Sequence, residues 1–487
     1  MSFKTDLFIN GEYVPSSTSE TLTIHNPKDD TLVSDKVQAA SEADVDKAVA
    51  AAKAALPGWK ATAGAKRGSV MLKFADLLEA NVDRLANLES IAMGQPVSLA
   101  KRMILGPVAL WRYYAGYAGK VAGESYPPDG EDGLYKIVQY EPLGVCAGIC
   151  AWNGSHVLAA WKLAPAMAAG NTFVLKSSEK SPIALAQYGD LLNEAGFPPG
   201  VINIVTGDGK VGALLASHMQ IAKIAFTGSA TAGRAVQIAA AKSNLKRVTL
   251  ELGGKSPALI FDDADIENAV LHSSESFLRN SGQICFAASR VLVQEGIAPD
   301  FIKAVKVAFE KAAEKMGDPA AMETLFGPLA DKKQYDRVME FLTSAKEEGV
   351  QILTGGDRKG DKGTFVQPTV LLNPDLKSRV YTDEIFGPVI SVRTFKTEEE
   401  AVQLANDTQY GLGSTVYTSD IGRALRVASA LEAGTVSINT VHATSPQTPF
   451  GGFKQSGYGR ESGVEGIKNY LQAKTIHVNM KLPVRAK

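Results

Sequence analysis

Only three cysteines, Cys146, Cys150 and Cys285, occur in 487 residues, too few for a disulfide framework. The six histidines (His25, His156, His218, His272, His442 and His477) are scattered, with no H-x-x-x-H pair and none beside the C-x3-C of Cys146 and Cys150. A structural zinc therefore lacks its ligands, and no metal is expected. No run of 18 apolar residues exists, which argues against a transmembrane helix and a membrane role. Neither sign of charge dominates: the formal net charge is -1, so nothing points to a nucleic-acid partner. The start, MSFKTDLFINGEY, lacks a basic stretch followed by an apolar one, and the ending VRAK is neither a prenylation box nor an SKL address. A reducing cytoplasmic setting is the expectation.

What remains is ordinary globular material, 45% hydrophobic and 21% charged, long enough for two or three domains. The middle of the chain alternates short apolar runs with amphipathic ones. NTFVLKSS, VINIVTG, IAKIAFTG and RVTLELGG read as strands, and SPIALAQYGDLLNEAG, KVGALLASHM and SATAGRAVQIAAAKS as helices. That rhythm predicts βαβ units and a parallel sheet in an α/β protein, with ligands beyond the carboxyl ends of the strands. Before it, SEADVDKAVAAAKAAL and AKRGSVMLKFADLLEANVDRLANLESIAMG keep helical spacing. Residues 120–142 look like an excursion, a Pro- and Gly-rich turn and then a strand. A second α/β stretch starts near residue 254, and KNYLQAKTIHVN reads as a final strand that could pair outside its own domain.

Several motifs have both a dull and a chemical reading. TLELGGKSP is not a phosphate-binding P-loop, because Thr249 stands where that loop needs glycine. Its glycines fit a turn, whereas Glu251 at a strand end is a candidate catalytic carboxylate. FTGSATAG lacks the G-x-G-x-x-G fingerprint, yet Gly228 and Ser229 open a helix whose free N–H groups favour an anion such as a pyrophosphate. Lys176 and Glu179 of VLKSSEKSP are either solvated charges or ribose ligands. Asn153 in AWNGS is either a helix N-cap or an oxyanion donor, and His156 reads as a helix-face residue rather than a base. Cys285, where NSGQICFAASR reads as a helix turning into a strand, is either inert packing or a nucleophile.

Taken in order, AWN, VLKSSE, FTGS, LELGGKSP, GQIC, EIFGPV and PFGGFKQSGYGRESG resemble the NAD(P)-dependent aldehyde dehydrogenase superfamily over essentially the whole chain. LELGGKSP with GQxC 34 residues beyond its glutamate is especially specific. The resemblance implies an aldehyde dehydrogenase-like fold: a Rossmann-type NAD-binding domain (1–119 and 143–253), an α/β catalytic domain (254–464) and a small β oligomerisation arm (120–142 and 465–487). It implies Cys285 as nucleophile, Glu251 as general base and Asn153 as oxyanion donor. It further implies cofactor contacts from Trp152, Lys176, Glu179, Gly207, Gly228, Ser229, Gly233, Leu252, Glu384 and Phe386. NAD is the expected cofactor, since Glu179 would repel a 2′-phosphate, with NADP as the alternative. A small-molecule aldehyde is the expected partner, in a homodimer or homotetramer.

The chain also departs from the family pattern. Gly154 follows the oxyanion asparagine where an aromatic residue is common, and Thr444 stands six residues before Phe450 where a second aromatic often lies. With Leu158, Trp161, Ile284, Phe286 and Phe450 as the other tunnel residues, the expectation is a wide tunnel for a bulky or aromatic aldehyde. Two alternatives keep Cys285 but change the chemistry: transfer of the acyl group to coenzyme A, which gives Glu251 no water to activate, and non-redox esterase turnover, which has no use for the nucleotide motifs.

Overall fold

The computed structural model of the protein describes residues 2–129 and 131–481. The alternating stretch forms one sheet in which five strands run parallel, in the order Arg247–Glu251, Lys223–Thr227, Val145–Ile149, Thr172–Lys176, Ile202–Val205. The chain moves outward from Val145–Ile149 in one direction, then returns to build on its other side. This reversal opens a crevice at the carboxyl ends of the central strands, the place where such sheets hold ligands. Antiparallel strands from the N-terminal hairpin close one edge, and Gly457–Tyr458 closes the other. That last strand lies within the 254–464 stretch but adds to the first sheet, because the PFGG segment folds back over Leu250 and Glu251.

The second stretch forms a seven-stranded sheet, parallel except at the edge strand Gln351–Thr354. Helices Gly64–Ala80, Val97–Tyr117 and Ser155–Ala169 cover the first sheet. Their contact is aromatic, with Phe74 fully buried and its ring 4.8 Å from Trp111. Burial of each such side chain contributes about 1.5–3 kcal/mol.

The excursion and the final strand meet each other. Leu471–Asn479 pairs antiparallel along its length with Leu134–Pro142, which in turn pairs with Glu124–Tyr126. Residues 130 and 482–487 of the expected arm, with all of VRAK, lie outside the described residues. Two expected continuous helices are each interrupted, at Asn81 and at Gln187. Asn81 bonds back to the Leu77 carbonyl, and Gln187 turns its amide to the backbone of Lys4.

Cys285 does not sit where a helix becomes a strand. Arg279–Gly282 is a single tight turn in which Asn280, Ser281 and Gly282 have φ of 52°, 55° and 72°. Three successive left-handed residues end any helix, and Asn, Ser and Gly are residue types that tolerate or compensate this geometry. Cys285 follows in the loop that leads to strand Arg290–Gln294.

Candidate active site

The loop before Cys285 is held by side-chain amides. Asn280 donates from Nδ2 to the Asn153 carbonyl (3.1 Å) and accepts from Gln95 Nε2 (3.2 Å). Gln283 donates to the Asn280 carbonyl and accepts from the Ala330 N–H. Asn153 does not cap a helix, since Gly154 occupies the N-cap position without a side-chain bond. Instead its Nδ2 donates to the Gln283 carbonyl at 3.1 Å, which fixes the amide beside the Cys285 loop and leaves one N–H for another acceptor. Gly282 is required twice: its φ is positive, and a Cβ there would strike the Gly387 carbonyl.

Glu251 ends its strand, is 3% exposed, and faces the same cavity as Cys285. Neither of its carboxylate oxygens meets an N–H or O–H donor among the described residues, and the group beside it that favours its charged form by hydrogen bonding is the Cys285 thiol. Burial pushes its pKa up to about 8, while the Lys162 ammonium pulls the other way. Lys162 is itself fully buried, donating to Thr227 Oγ1 (2.7 Å) and Glu461 Oε1 (3.2 Å). The half-buried Cys285 thiol is held above its usual range, first by burial and then by the Glu251 charge. At rest both groups therefore favour their protonated forms. The other thiols stand apart: Cys146 and Cys150 are buried in or beside the strand Val145–Ile149, which pushes them to about 12 and about 11. His156 bonds the Tyr188 hydroxyl at 2.7 Å, and burial holds its pKa near 3, so it is a neutral core residue.

The Gly253–Gly254 turn lets two other segments come close. A Cβ on Gly253 would strike the Glu384 carboxylate, and one on Gly254 would lie 2.5 Å from the Cys285 carbonyl. Glu384 Oε1 accepts from the Gly254 N–H at 3.1 Å, and burial raises its pKa to about 7. Lys255 of the same motif donates to the Val380 and Asp383 carbonyls, a backbone clamp for EIFGPV rather than a phosphate ligand. Phe386, at φ 59°, stands 5.2 Å from the Trp152 ring, edge to face.

Trp152, Gly228, Ser229, Leu252, Glu384 and Phe386 line the cavity with Cys285, Glu251 and Asn153. Ser229 caps helix Ala230–Lys242, accepting from the Ala232 N–H. Lys176, Glu179, Gly207 and Gly233 are not on the wall. Lys176 does not lie past its strand but is its last residue and buried, while Glu179 lies just beyond it, exposed, 3.9 Å away. Gly207 follows the next strand, and Gly233 admits Leu252, whose Cδ2 would be 2.6 Å from a Cβ.

The same cavity, about 850 Å³ in all, is also walled by Gly154, Leu158, Trp161, Ile284, Phe286 and Thr444. Phe450 lies behind this wall, its ring 4.9 Å from Trp161.

Residues 13–476 match the sequence profile of the Aldehyde dehydrogenase family. The chain belongs to the aldehyde dehydrogenase family. An aldehyde dehydrogenase of Emericella nidulans is 45% identical over 476 residues, covering 97% of this chain and 95% of its own. Among solved structures, a putative aldehyde dehydrogenase from Burkholderia cenocepacia superposes with a TM-score of 0.95 at 40% identity, covering 100% of both chains. A cysteine-to-alanine mutant of the P. syringae indole-3-acetaldehyde dehydrogenase AldA, solved with NAD+ and IAA, also gives 0.95, at 37% identity over 98% of this chain and 97% of that one. No helix among the described residues is long and apolar enough to cross a membrane, and no group of metal-ligating side chains occurs among them.

Within this aldehyde dehydrogenase, several site residues escaped the sequence reading. Met103 Cε lies 3.1 Å from where a Cβ on Gly154 would be, so the space that glycine leaves is filled from another helix. His442 supplies an aromatic ring near Thr444, stacked on Phe450 at 5.2 Å and 4.9 Å from Phe286. Burial lowers its pKa to about 4, so the ring is neutral. A histidine in the otherwise small-residue run before PFGG was the one available signal. Lys162 and Glu461 lay unremarked inside AWKLAP and GRESG.

Proposed function

We propose that this aldehyde dehydrogenase oxidises an aldehyde to the carboxylic acid with NAD+, through a covalent adduct on Cys285. The observation that carries the reading is a half-buried thiol on one cavity wall with a buried carboxylate that has no N–H or O–H donor of its own. The residues present suit a dinucleotide. A crevice at the strand ends leads to the N-terminus of helix Ala230–Lys242, and Glu384 stands where a side chain on Gly253 would exclude it. Gly228 and Ser229 would hold the pyrophosphate, Lys176 and Glu179 the adenosine ribose, and Glu384, Phe386, Trp152 and Leu252 the nicotinamide half. What bound NAD+ supplies is a hydride acceptor, so that the Cys285 adduct can become a thioester.

The protein's own groups do the rest. Cys285 attacks the carbonyl carbon as its proton passes to water or to Glu251, giving a tetrahedral thiohemiacetal. The free Asn153 N–H and the Cys285 backbone N–H, which donates to no acceptor among the described residues, stabilise the oxyanion. Loss of one such donor typically costs ~3 kcal/mol of barrier. Glu251 then takes a proton from water, which attacks the thioester and frees the acid. In this reading residues 1–119 and 143–253 form the NAD-binding domain, 254–464 the catalytic domain, and 120–142 with 465–487 the arm. Exposed Tyr126, Tyr140, Ile476 and Val478 on the arm sheet support a homodimer or homotetramer. A reducing cytoplasm would keep Cys285 free.

Glu179 sets the cofactor preference in this account. Glu179→Gln should raise the NADP-to-NAD ratio of kcat/KM by about tenfold, ~1.4 kcal/mol, by removing repulsion of a 2′-phosphate. Steady-state rates with both cofactors check it, and an unchanged ratio removes Glu179 from the contact.

The substrate is a bulky or aromatic aldehyde, a reading supported by the wall of Trp161, Phe286 and His442. Across a series from acetaldehyde to cinnamaldehyde, kcat/KM should rise with size, and Met103→Ala should steepen the rise several-fold by reopening the space at Gly154. A clear preference for acetaldehyde defeats this reading.

A further inference from the structure

Of the three arginines on the cavity wall, Arg337 donates to the Glu384 carbonyl at 3.0 Å, and the other two have no part in the chemistry above. Arg102 and Arg279 both line the cavity that contains Cys285, and both are exposed. Their positions put them on the aldehyde side. Arg102 precedes Met103, which fills the space beside Gly154, and Arg279 precedes Asn280, which donates to the Asn153 carbonyl at 3.1 Å. They thus come from two separate segments that flank the proposed oxyanion donor.

Of the cations on the wall, these two and Lys333 are without an ion pair or a side-chain hydrogen bond among the described residues, and Lys333 lies on the helix that carries Arg337 to Glu384. On the same helix as Arg102, Lys101 pairs with Asp83, and Arg112 with Asp76 and Glu79. Glu275, close in sequence to Arg279, pairs with Lys315. Neither Arg102 nor Arg279 makes an ion pair or a side-chain hydrogen bond among the described residues. The cavity wall offers them no counter-charge either. Among the described residues the carboxylates on it are Glu251, which is buried, and Glu384, engaged at the Gly254 N–H. A solvated surface arginine is commonplace, but two from different segments on one acid-free stretch of wall make an anion-accepting mouth.

We propose that Arg102 and Arg279 select an aldehyde bearing a carboxylate at the end remote from its carbonyl. The proposal rests on the aldehyde-oxidising reading and names its substrate class. A guanidinium presents two parallel N–H donors that match a carboxylate, and an ammonium does not. The apolar wall between the arginines and Cys285 would hold the body of such a substrate, while the exposed mouth makes the attraction sensitive to salt.

The test compares matched pairs that differ only in charge: 4-formylbenzoate with its methyl ester, and succinate semialdehyde with its methyl ester, read by NADH formation. In wild type the carboxylate of each pair should have a kcat/KM about tenfold or more above its ester, mainly through KM, and the ratio should fall as salt rises. Arg102→Gln and Arg279→Gln should each reduce the ratio, the double variant should bring it near one, and Arg279→Lys should restore part of it. An ester equal to or better than its acid, or a ratio unmoved in the double variant, overturns the carboxylate selection and leaves aldehyde oxidation standing. No NADH from any of the four overturns the carboxylate selection, and none from the acetaldehyde-to-cinnamaldehyde series as well overturns aldehyde oxidation.

Discussion

Cys285→Ala should lower the rate of NADH formation by about 10⁴-fold or more while leaving NAD+ binding and the circular dichroism spectrum as in wild type. The size of the effect follows from the lack of a substitute. Cys146 and Cys150 are sealed in the sheet and do not reach the cavity wall. Water in their place cannot form the covalent adduct from which hydride leaves. Folding should survive because Cys285 is only half-buried and its loop is held by Asn280, Gln283 and Ser281, not by sulfur. Rapid-mixing absorbance for NADH and fluorescence titration with NAD+ separate the two properties. A variant that retains a tenth of the wild-type rate would remove Cys285 from the reaction.

Glu251→Gln should separate the two half-reactions. Adduct formation and hydride loss should still yield about one NADH per site in a burst. The steady state should then fall by roughly 10²–10³-fold because nothing takes the proton from water. The pH dependence follows from burial. Desolvation favours the neutral carboxyl and raises the pKa to about 8. Below about 8 Glu251 is mostly protonated and cannot act as a base, whereas above it the carboxylate forms. Wild-type turnover should therefore climb as pH rises through about 8, and the variant should lose that limb. Stopped-flow traces across this range read both effects. A variant with no burst but a normal pH profile would assign Glu251 to another step.

Much of the fold could be read from the chain because its signals are local. Strand-like and helix-like runs alternate from Val145 to Glu251, and that order alone calls for parallel strands with a crevice at their ends. The placement of three proposed site residues was legible for the same reason: Asn153, Ser229 and Glu251 each lie at or just beyond a strand end. The loop of Cys285 was not. A left-handed run at Asn280, Ser281 and Gly282 depends on amide bonds to Asn153 and Gln95, which are far away in sequence. The substrate side was the least legible. Its shape comes from Met103 reaching over from a distant helix, and from His442 stacking on Phe450, contacts that exist only once the domains are packed. The sequence pattern thus suggested an opening at Gly154 that a methionine partly fills.

The most direct test of aldehyde oxidation through Cys285 is the absorbance of NADH formed by wild type and Cys285→Ala on a panel of aldehydes, with the acid product measured alongside and no coenzyme A present. The account predicts one carboxylic acid per NADH in wild type and none above background in the variant. Absence of NADH with every aldehyde in wild type, or NADH formed equally by the variant, would contradict it.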